Sequence, residues 1–302
     1  IHADSIPLGD IVEARNGLQT SANDVFLIKK PIENPDGTVT FDAKLRGSKN
    51  VQRWTIERDL LIPYLDDSKG LQSFRYVSSD AFLLFPYEDN AQRASGKSLI
   101  SESVMRGDYP LTYEYLLSCK ERLLRRDKGA QRQMHDGGAF YAYGRGQALG
   151  YATQHPKIFY SVNQRGDKYG YDDQGIAFQS GGTAGEVALF PCSSDYHLDF
   201  ILGLLAQPEI ELFLRKRGSP FRGGFFARGT DVISSVPVPV VDFECPTDVA
   251  FHERVVAKVR AIRELESSSL STTQRQAESL ARKIRQEKKA LMRLFKERWR
   301  LS

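Results

Sequence analysis

The chain has few cysteines and histidines, and neither residue type forms a recognisable site. Its three cysteines, Cys119, Cys192 and Cys245, are widely spaced and form no CxxC pair. An odd, scattered set predicts neither a disulfide framework nor a zinc site and is typical of the reducing cytoplasm, where we expect this protein. The five histidines form no HxxxH spacing, so we expect no metal site built on them.

Long apolar runs are also missing. The longest, such as 200–206, is far shorter than the roughly 20 residues that cross a bilayer, so we expect no membrane partner. The first residues do not form a basic, apolar and small-residue leader. The chain begins at Ile1 rather than Met, which leads us to expect a fragment or a processed piece.

Motifs that carry catalysis are lacking as well. The sequence has no GxSxG elbow, phosphate-binding loop or HExxH helix, and no Asn/Asp-Pro-Pro-Tyr tetrapeptide for clamping a flipped base. Asp36, Asp42 and Lys44 imitate the PD…DxK pattern of metal-dependent nucleases. Only five residues separate the two acids, and Pro35-Asp36-Gly37 favours a hairpin turn instead. We therefore expect no catalytic residue, cofactor site or metal site in this segment.

Positive charge is concentrated at one end of the chain. The net charge is +4. Residues 251–302 hold fourteen Lys/Arg and six Asp/Glu, which leaves a net −4 on residues 1–250. The body is therefore not uniformly basic, and a nucleic-acid site within it would be a local patch. The cations after residue 250 indicate either a solvated helix face or direct phosphate binding.

The patterning predicts an α+β fold, with a mixed, curved β-sheet and packed helices followed by a C-terminal antiparallel helical pair. We predict a domain boundary after residue 245, with an α+β domain over 1–245 and a helical hairpin over 246–302, because apolar stripes with a period of about 3.5 residues start there. Strands are expected at 80–87, 156–162, 175–180, 187–191 and 233–241, a short helix or turn at 53–65, helices at 98–105, 113–126 and 196–217, and an irregular glycine-rich loop at 218–229.

The stretch from Ala139 to Gly166 combines aromatic residues with arginines, lysine and amides. The glycines around Arg145 indicate a loop, and the β-branched and aromatic run after Pro156 indicates a buried strand. The mixture suits a wet, electronegative partner, although an ordinary sheet edge would have similar residues.

The order of segments resembles the C-terminal target-recognition domain of TaqI-like adenine-N6 DNA methyltransferases, which is similar to type I specificity subunits. The resemblance covers nearly all of the chain and is carried by the order and spacing of motifs that are individually degenerate. They are LGDIVEARNGLQTSANDVFLI (8–28), IERDLLIPYL (56–65), LLFPYED (83–89), YPLTYEYLLSCKERLLRR (109–126), YAYGRGQAL (141–149), HPKIFY (155–160), YHLDFILGLLAQPEIELFL (196–214), SPFRGGFFARGTDVISSVPVPV (219–240) and the terminal helices.

The resemblance implies a module that reads a short sequence in double-stranded DNA. The parent enzyme's methyltransferase domain, absent from this sequence, would bind S-adenosylmethionine, transfer the methyl group and be this module's partner. The segment itself would then be no enzyme, although the parent would be one and could also carry a nuclease.

Base readout favours arginine toward guanine and Asn/Gln toward adenine, carried on loops of a rigid scaffold. Hydroxyl side chains add phosphate donors. The candidate DNA-binding residues are Arg132, Gln133, Arg145, Gln147, Gln164, Arg165, Lys168, Ser180, Thr183, Ser219, Arg222 and Arg228. The alternative is a protein-interaction module that docks a partner subunit through the C-terminal helices.

Overall fold

The structure is a computed structural model of the chain. It describes residues 4–44, 49–66, 71–79, 81–126, 139–164, 168–180, 185–268 and 274–299, and within these ranges the side chains of residues 164, 221, 222, 274 and 275 are not described.

Eighteen strands in the described part of the chain form six small sheets, with the orders β1-β18, β10-β9, β13-β11-β15-β2, β12-β17-β16, β14-β7-β8-β3 and β4-β5-β6. They are β1 Ser5–Pro7, β2 Val12–Asn16, β3 Leu27–Lys29, β4 Ile32–Glu33, β5 Thr38–Ala43, β6 Gln52–Glu57, β7 Leu61–Leu65, β8 Ala81–Leu84, β9 Tyr87–Asp89, β10 Lys97–Leu99, β11 Lys157–Ser161, β12 Asn163–Gln164, β13 Gly170–Asp172, β14 Ala177–Phe178, β15 Glu186–Pro191, β16 Ser219–Phe221, β17 Phe225–Ala227 and β18 Pro237–Pro239.

Nine α-helices lie in the same described ranges. They are α1 Asn23–Phe26, α2 Glu102–Asp108, α3 Pro110–Ser118, α4 Lys120–Leu124, α5 Leu198–Leu205, α6 Pro208–Arg217, α7 Thr230–Ser234, α8 Pro246–Ser268 and α9 Gln274–Trp299. None of the helices in the described part of the chain is long and apolar enough to cross a membrane.

The four-stranded sheet β13-β11-β15-β2 is the centre of the fold, and its neighbouring strands are antiparallel. Successive residues of a strand point to opposite faces of the sheet. Ile158 and Tyr160 of β11 accordingly join one hydrophobic core with α5, α8 and α9, while Phe159 joins a second core on the other face. The centre of β11 is therefore covered on both faces, as its continuous apolar run predicts.

A third hydrophobic core holds the two sheets β14-β7-β8-β3 and β4-β5-β6 against α2, α3 and α4. β14 and β7 are parallel, whereas the other pairs of these sheets are antiparallel. The predicted Pro35–Gly37 turn joins β4 to β5, and Gly37 has the positive φ (82°) that glycine adopts without strain.

The C-terminal helices pack on the body of the protein. Phe251 and Val255 of α8 and Leu291 and Phe295 of α9 belong to the same core as the central sheet. At Gly203 of α5 a Cβ atom would come within 2.9 Å of a methyl group of α8. The absence of a side chain there allows close approach of the two helices.

The structure confirms the α+β class and the C-terminal helical pair. The division into domains after residue 245 stays a prediction, although α8 does begin at Pro246.

Several predicted elements were wrong in type or length. The short helix or turn predicted over 53–65 is limited to one 3₁₀ turn at Arg58–Leu60, because strands β6 and β7 occupy the residues on either side. The helix predicted over 98–105 begins only at Glu102, after β10. The helix predicted over 196–217 is divided into α5 and α6 at Pro208, which starts the second helix. The strand predicted over 233–241 is reduced to β18, preceded by α7.

Candidate nucleic-acid interface

One end of the central sheet carries most of the loops that contain the candidate residues. Asn16, the last residue of β2, pairs with Val187 near the start of β15. Ser161, the last residue of β11, pairs with Glu186, the first of β15. The strand β13 runs antiparallel to β11 and begins at Gly170, so the segment before it lies at this same end. We call this end of the sheet, with its loops, the loop end.

Backbone hydrogen bonds join the loops of the loop end to each other. The N–H of Leu18, after β2, donates to the carbonyl of Phe178 (2.8 Å), and the N–H of Ser180 donates back to the carbonyl of Leu18 (2.8 Å). The N–H of Arg145 donates to the carbonyl of Gln19 (3.2 Å). Arg145 and Ser180, which are far apart in sequence, are thus fixed to adjacent residues of one loop.

The same series of bonds continues across the sheet. The N–H of Glu186 donates to Gln179 (3.2 Å), and that of Val162 donates to Gly185 (3.0 Å). The N–H of Arg228 then donates to Val162 (2.8 Å). The segments around 145, 162, 180 and 228 are therefore parts of one connected backbone network.

The glycine-rich segment 218–229 ends this network and is more regular than predicted. It forms a hairpin in which Ser219 pairs with Ala227, and β17 also pairs with β12, where Gln164 is opposite Phe226. Gly223 turns the hairpin with φ 76°. The expectation of an irregular loop was wrong, because pairing with β12 supplies backbone partners that the local sequence does not reveal.

The candidate side chains that the structure describes are exposed, half-buried or, in one case, fully buried. Arg145, Gln147, Lys168 and Ser219 are exposed, and Ser180 is half-buried. Gln147 donates from Nε2 to the carbonyl of Gly17 (3.1 Å). This bond fixes the position of Gln147 beside the segment that follows β2, residues 17–22, which we call the β2 loop. The backbones of Gln164 and Arg222 lie in the network, but their side chains are outside the described set, as are Arg132, Gln133, Arg165 and Thr183 entirely.

Arg228 is the exception, since its side chain is completely buried. Its guanidinium donates to Glu211 of α6 (2.5 Å) and to the hydroxyl of Tyr169 (3.2 Å). The prediction placed this arginine on the DNA, whereas its position here is that of a structural link between the hairpin and α6. A contact with DNA from this buried position is not available.

A polar cluster that the candidate set omitted also lies at the loop end. The side chain of Asn23 donates to Gln179 (2.8 Å) and its Oδ1 accepts from Thr20 (2.5 Å). Ser21 has a positive φ (58°), and its buried hydroxyl has no hydrogen-bond partner among the described residues. The run of polar residues after Gly17 was the available signal, but only the fold brings Gln179 to it.

The side chain of Arg126 forms hydrogen bonds with the backbone of the β2 loop and of the segment before Arg145. Arg126 is buried, and it donates to the carbonyls of Thr20 (3.1 Å), Phe140 (2.9 Å) and Ala142 (2.6 Å). One guanidinium with five fixed donors can bind several carbonyls at once. Arg126 therefore joins the β2 loop to the segment that carries Arg145.

Tyr141 and Tyr143, before Arg145, are buried and do not face a hydrated partner. This corrects the expectation that the aromatic residues of the 139–166 stretch suit such a partner. Tyr141 and Tyr143 are fully buried, and their hydroxyls donate to the carbonyls of Ile100 (2.7 Å) and Leu84 (2.7 Å). Burial raises the pKa of Tyr141 to about 12 and that of Tyr143 well above its usual value, so both keep the donated proton. The tyrosines anchor the loop, and its polar tip alone reaches the surface.

Asp36 and Asp42, the two acids that imitate a nuclease motif, form hydrogen bonds within the β4-β5-β6 region. Asp36 accepts from the backbone and hydroxyl of Thr38 (3.0 and 2.7 Å), and Asp42 accepts from Arg53 (2.9 Å). These hydrogen bonds lower the pKa of both carboxyls. Across the described residues, no group of three or more His, Cys, Asp or Glu side chains has a metal-binding arrangement.

Comparison with known proteins gives one sequence relative and one structural neighbour of interest. No protein-family model matches the chain. It is 28% identical over 289 residues to the type II restriction enzyme and methyltransferase RM.Eco57I of Escherichia coli. The chain is similar to a restriction-modification protein. The alignment includes 93% of this chain but only 28% of that protein, so the chain spans less than a third of the length of its relative.

The structural neighbour is the type IIG restriction endonuclease BpuSI. The superposition has a TM-score of 0.48 and 13% sequence identity, and it covers 98% of this chain and 32% of that chain.

Proposed function

We propose that this chain is the sequence-reading module of an adenine-N6 DNA methyltransferase of the restriction-modification type. The observation that supports it best is the backbone network of the loop end. It connects the loops of Arg145, Gln147 and Ser180 and the hairpin of Ser219 at one end of the central sheet, and the similarity to a restriction enzyme and methyltransferase agrees with DNA as the partner.

The dimensions suit a duplex. Neighbouring strands are about 4.8 Å apart, so four strands spread the loops over roughly 14 Å before the β16-β17 hairpin is added. The major groove of DNA is about 12 Å wide. Side chains from the middle loops can then contact base edges while those at the sides contact the phosphates on either side of the groove.

The exposed side chains supply the required chemistry. An arginine such as Arg145 can donate two hydrogen bonds to guanine O6 and N7, and an amide such as Gln147 can pair with adenine N6 and N7. Lys168 and Ser219 are suited to phosphate oxygens. Because buried tyrosines and the backbone bond to Gln19 hold the segment of Arg145, little ordering of that segment is needed on binding.

In this proposal the parent protein performs the chemistry elsewhere. A methyltransferase domain would bind S-adenosylmethionine and flip the adenine out of the duplex, while this module holds the neighbouring base pairs. A nuclease in the same parent is compatible with the name of the relative, which combines restriction and methylation. This segment would contribute recognition and no catalytic residue.

The test is selection of bound duplexes from a randomised pool at low salt, followed by affinity measurements with Arg145→Ala. If Arg145 contacts a guanine, the variant should lose about 1–3 kcal/mol on the selected site and little on unrelated duplexes. The control is Lys44→Ala, an exposed lysine of the β4-β5-β6 region. Failure to enrich any sequence, or equal losses for the two variants, would contradict the proposal.

The alternative, docking of a partner through the C-terminal helices, receives less support. The apolar stripes on which it rests are already buried against the protein's own core, with Val255, Val259 and Leu291 nearly inaccessible. A partner would have to use the polar faces of α8 and α9 instead.

A further inference from the structure

The outer face of α9 carries a row of five cations that the loop end does not include. The residues are Arg282, Arg285, Lys289, Arg293 and Lys296, and all are exposed. Their spacing of three or four residues places them on one face of the helix. With a rise of about 1.5 Å per residue, the row is roughly 21 Å long. We call it the basic stripe.

The opposite face of α9 is used for packing. Leu291 and Phe295 are buried in the core shared with α5 and α8. The ion pairs of this helix in the described residues, Lys258–Glu287, Glu266–Lys288 and Asp248–Arg298, join it to α8. The packing therefore fixes which face of α9 points away from the body, and that face is the basic stripe.

None of the five cations forms an ion pair within the described residues. Two exposed carboxylates lie on the same side of the helix, Glu278 four residues before Arg282 and Glu297 four residues after Arg293. Between them the cations are neighbours of one another. Like charges at these spacings destabilise a helix, so the stripe works against folding of this element. A local cost of this kind is expected where a surface serves binding.

We propose that the basic stripe binds the sugar–phosphate backbone of duplex DNA, outside the base pairs that the loop end reads. The choice of DNA as the polyanion rests on the proposed function. Arginine and lysine bind phosphates without regard to sequence and release condensed counterions when they do so. The stripe accordingly adds affinity, and the loops add discrimination.

The test uses the 302-residue chain with the triple variant Arg285→Gln/Lys289→Gln/Arg293→Gln. Glutamine has nearly the same helix propensity, so α9 is expected to fold, and circular dichroism checks its helix content. The matched control is Lys30→Gln/Lys44→Gln/Lys120→Gln, which removes the same charge from exposed sites away from α9. Affinity is measured over a series of salt concentrations for two unrelated duplexes of about 40 base pairs. Duplexes of this length extend well beyond the roughly 21 Å of the stripe.

The stripe variant should weaken binding to both duplexes equally. The slope of log affinity against log salt should fall by up to about 2.7, since each phosphate contact contributes about 0.9. The control should keep the wild-type slope. An unchanged slope in the stripe variant, or an equal loss in the control, would overturn the proposal. So would loss of binding to phosphatidylserine vesicles with unchanged duplex binding, which would assign the stripe to an anionic lipid surface.

The two proposals fail in different ways. If the loop end does not read sequence, no duplex will be preferred, but the salt slope will still depend on the stripe. If the stripe does not bind DNA, a selected sequence will still be preferred by wild type and stripe variant alike, and the slope will not change.

Discussion

Asp199 and Arg263 form a buried, bidentate ion pair that joins the start of α5 to α8. Nη1 of Arg263 lies 2.6 Å from Oδ1 of Asp199 and Nη2 lies 3.0 Å from Oδ2. The guanidinium also lies over the ring of Tyr171 in β13, 4.0 Å from its centroid. One side chain of the C-terminal helices is therefore bound both to α5 and to the central sheet.

Removing Asp199 should destabilise the whole protein. Asp199→Ala leaves Arg263 buried without its carboxylate, and loss of one partner from a buried pair costs about 3–5 kcal/mol of unfolding free energy. Urea denaturation followed by circular dichroism measures it. Asp42→Ala, which breaks an exposed pair with Arg53, should change stability far less. Similar effects of the two variants would show that the Asp199 pair is not a structural link.

The close approach of α5 and α8 at Gly203 predicts a second effect on stability. Gly203→Leu improves helix propensity but forces a side chain toward Val259 and Val255, at 2.9 and 3.2 Å from the Cβ position. Overpacking of this kind costs about 1–3 kcal/mol.

The matched control for Gly203 is Gly107→Leu in α2, where a Cβ would have no heavy atom within 4 Å. Thermal unfolding should show a lower midpoint for Gly203→Leu and an equal or higher one for Gly107→Leu. A stabilised Gly203→Leu variant would contradict the packing described here.

The buried position of Arg228 predicts a loss of stability rather than a local loss of DNA affinity. Arg228→Ala leaves Glu211 without its buried partner and should cost about 3–5 kcal/mol. Arg215 pairs with the same carboxylate from the surface, so Arg215→Ala should cost only about 0–1 kcal/mol. A double-mutant cycle with Glu211→Gln measures each coupling, and equal couplings would refute the assignment.

His252 predicts that stability falls in mild acid. Its Nε2 accepts a hydrogen bond from the backbone N–H of His197 (3.1 Å), which requires the neutral ring, and burial lowers its pKa. The unfolded chain therefore binds this proton more readily than the folded protein, so unfolding becomes more favourable as pH falls below about 6.5.

The measurement for His252 is the free energy of unfolding at several pH values between about 7.5 and 5, a range that brackets the ordinary histidine pKa. His252→Gln keeps an acceptor for the N–H of His197 but cannot titrate, so it should flatten the dependence on pH. Replacement of the exposed His155 by glutamine should leave the dependence as in the wild type. A wild-type slope in His252→Gln would show that other groups control it.

The sequence predicted the candidate loops better than it predicted their surroundings. Glycines and amides around Arg145 correctly indicated an exposed polar loop, since such residues rarely form a regular buried element. The same reasoning placed Arg228 on the DNA, and single arginines such as Arg126 are likewise usually found at the surface. Both are buried because carbonyls or a carboxylate from distant segments surround them, and local patterning contains no trace of those partners.

By itself, the sequence determined the α+β class, the buried strand at Lys157–Ser161, the turn before Thr38 and the helical pair after Pro246. These depend on hydrophobic period, β-branched residues and turn residues, all of which act between near neighbours in the chain. Only the tertiary structure decided that the loop after β2, the loop of Arg145 and the β16-β17 hairpin lie together at one end of the central sheet, and that the cations of α9 face outward. Pairing and packing between distant segments fix these relationships, because a backbone N–H finds its partner by proximity in space and not in sequence.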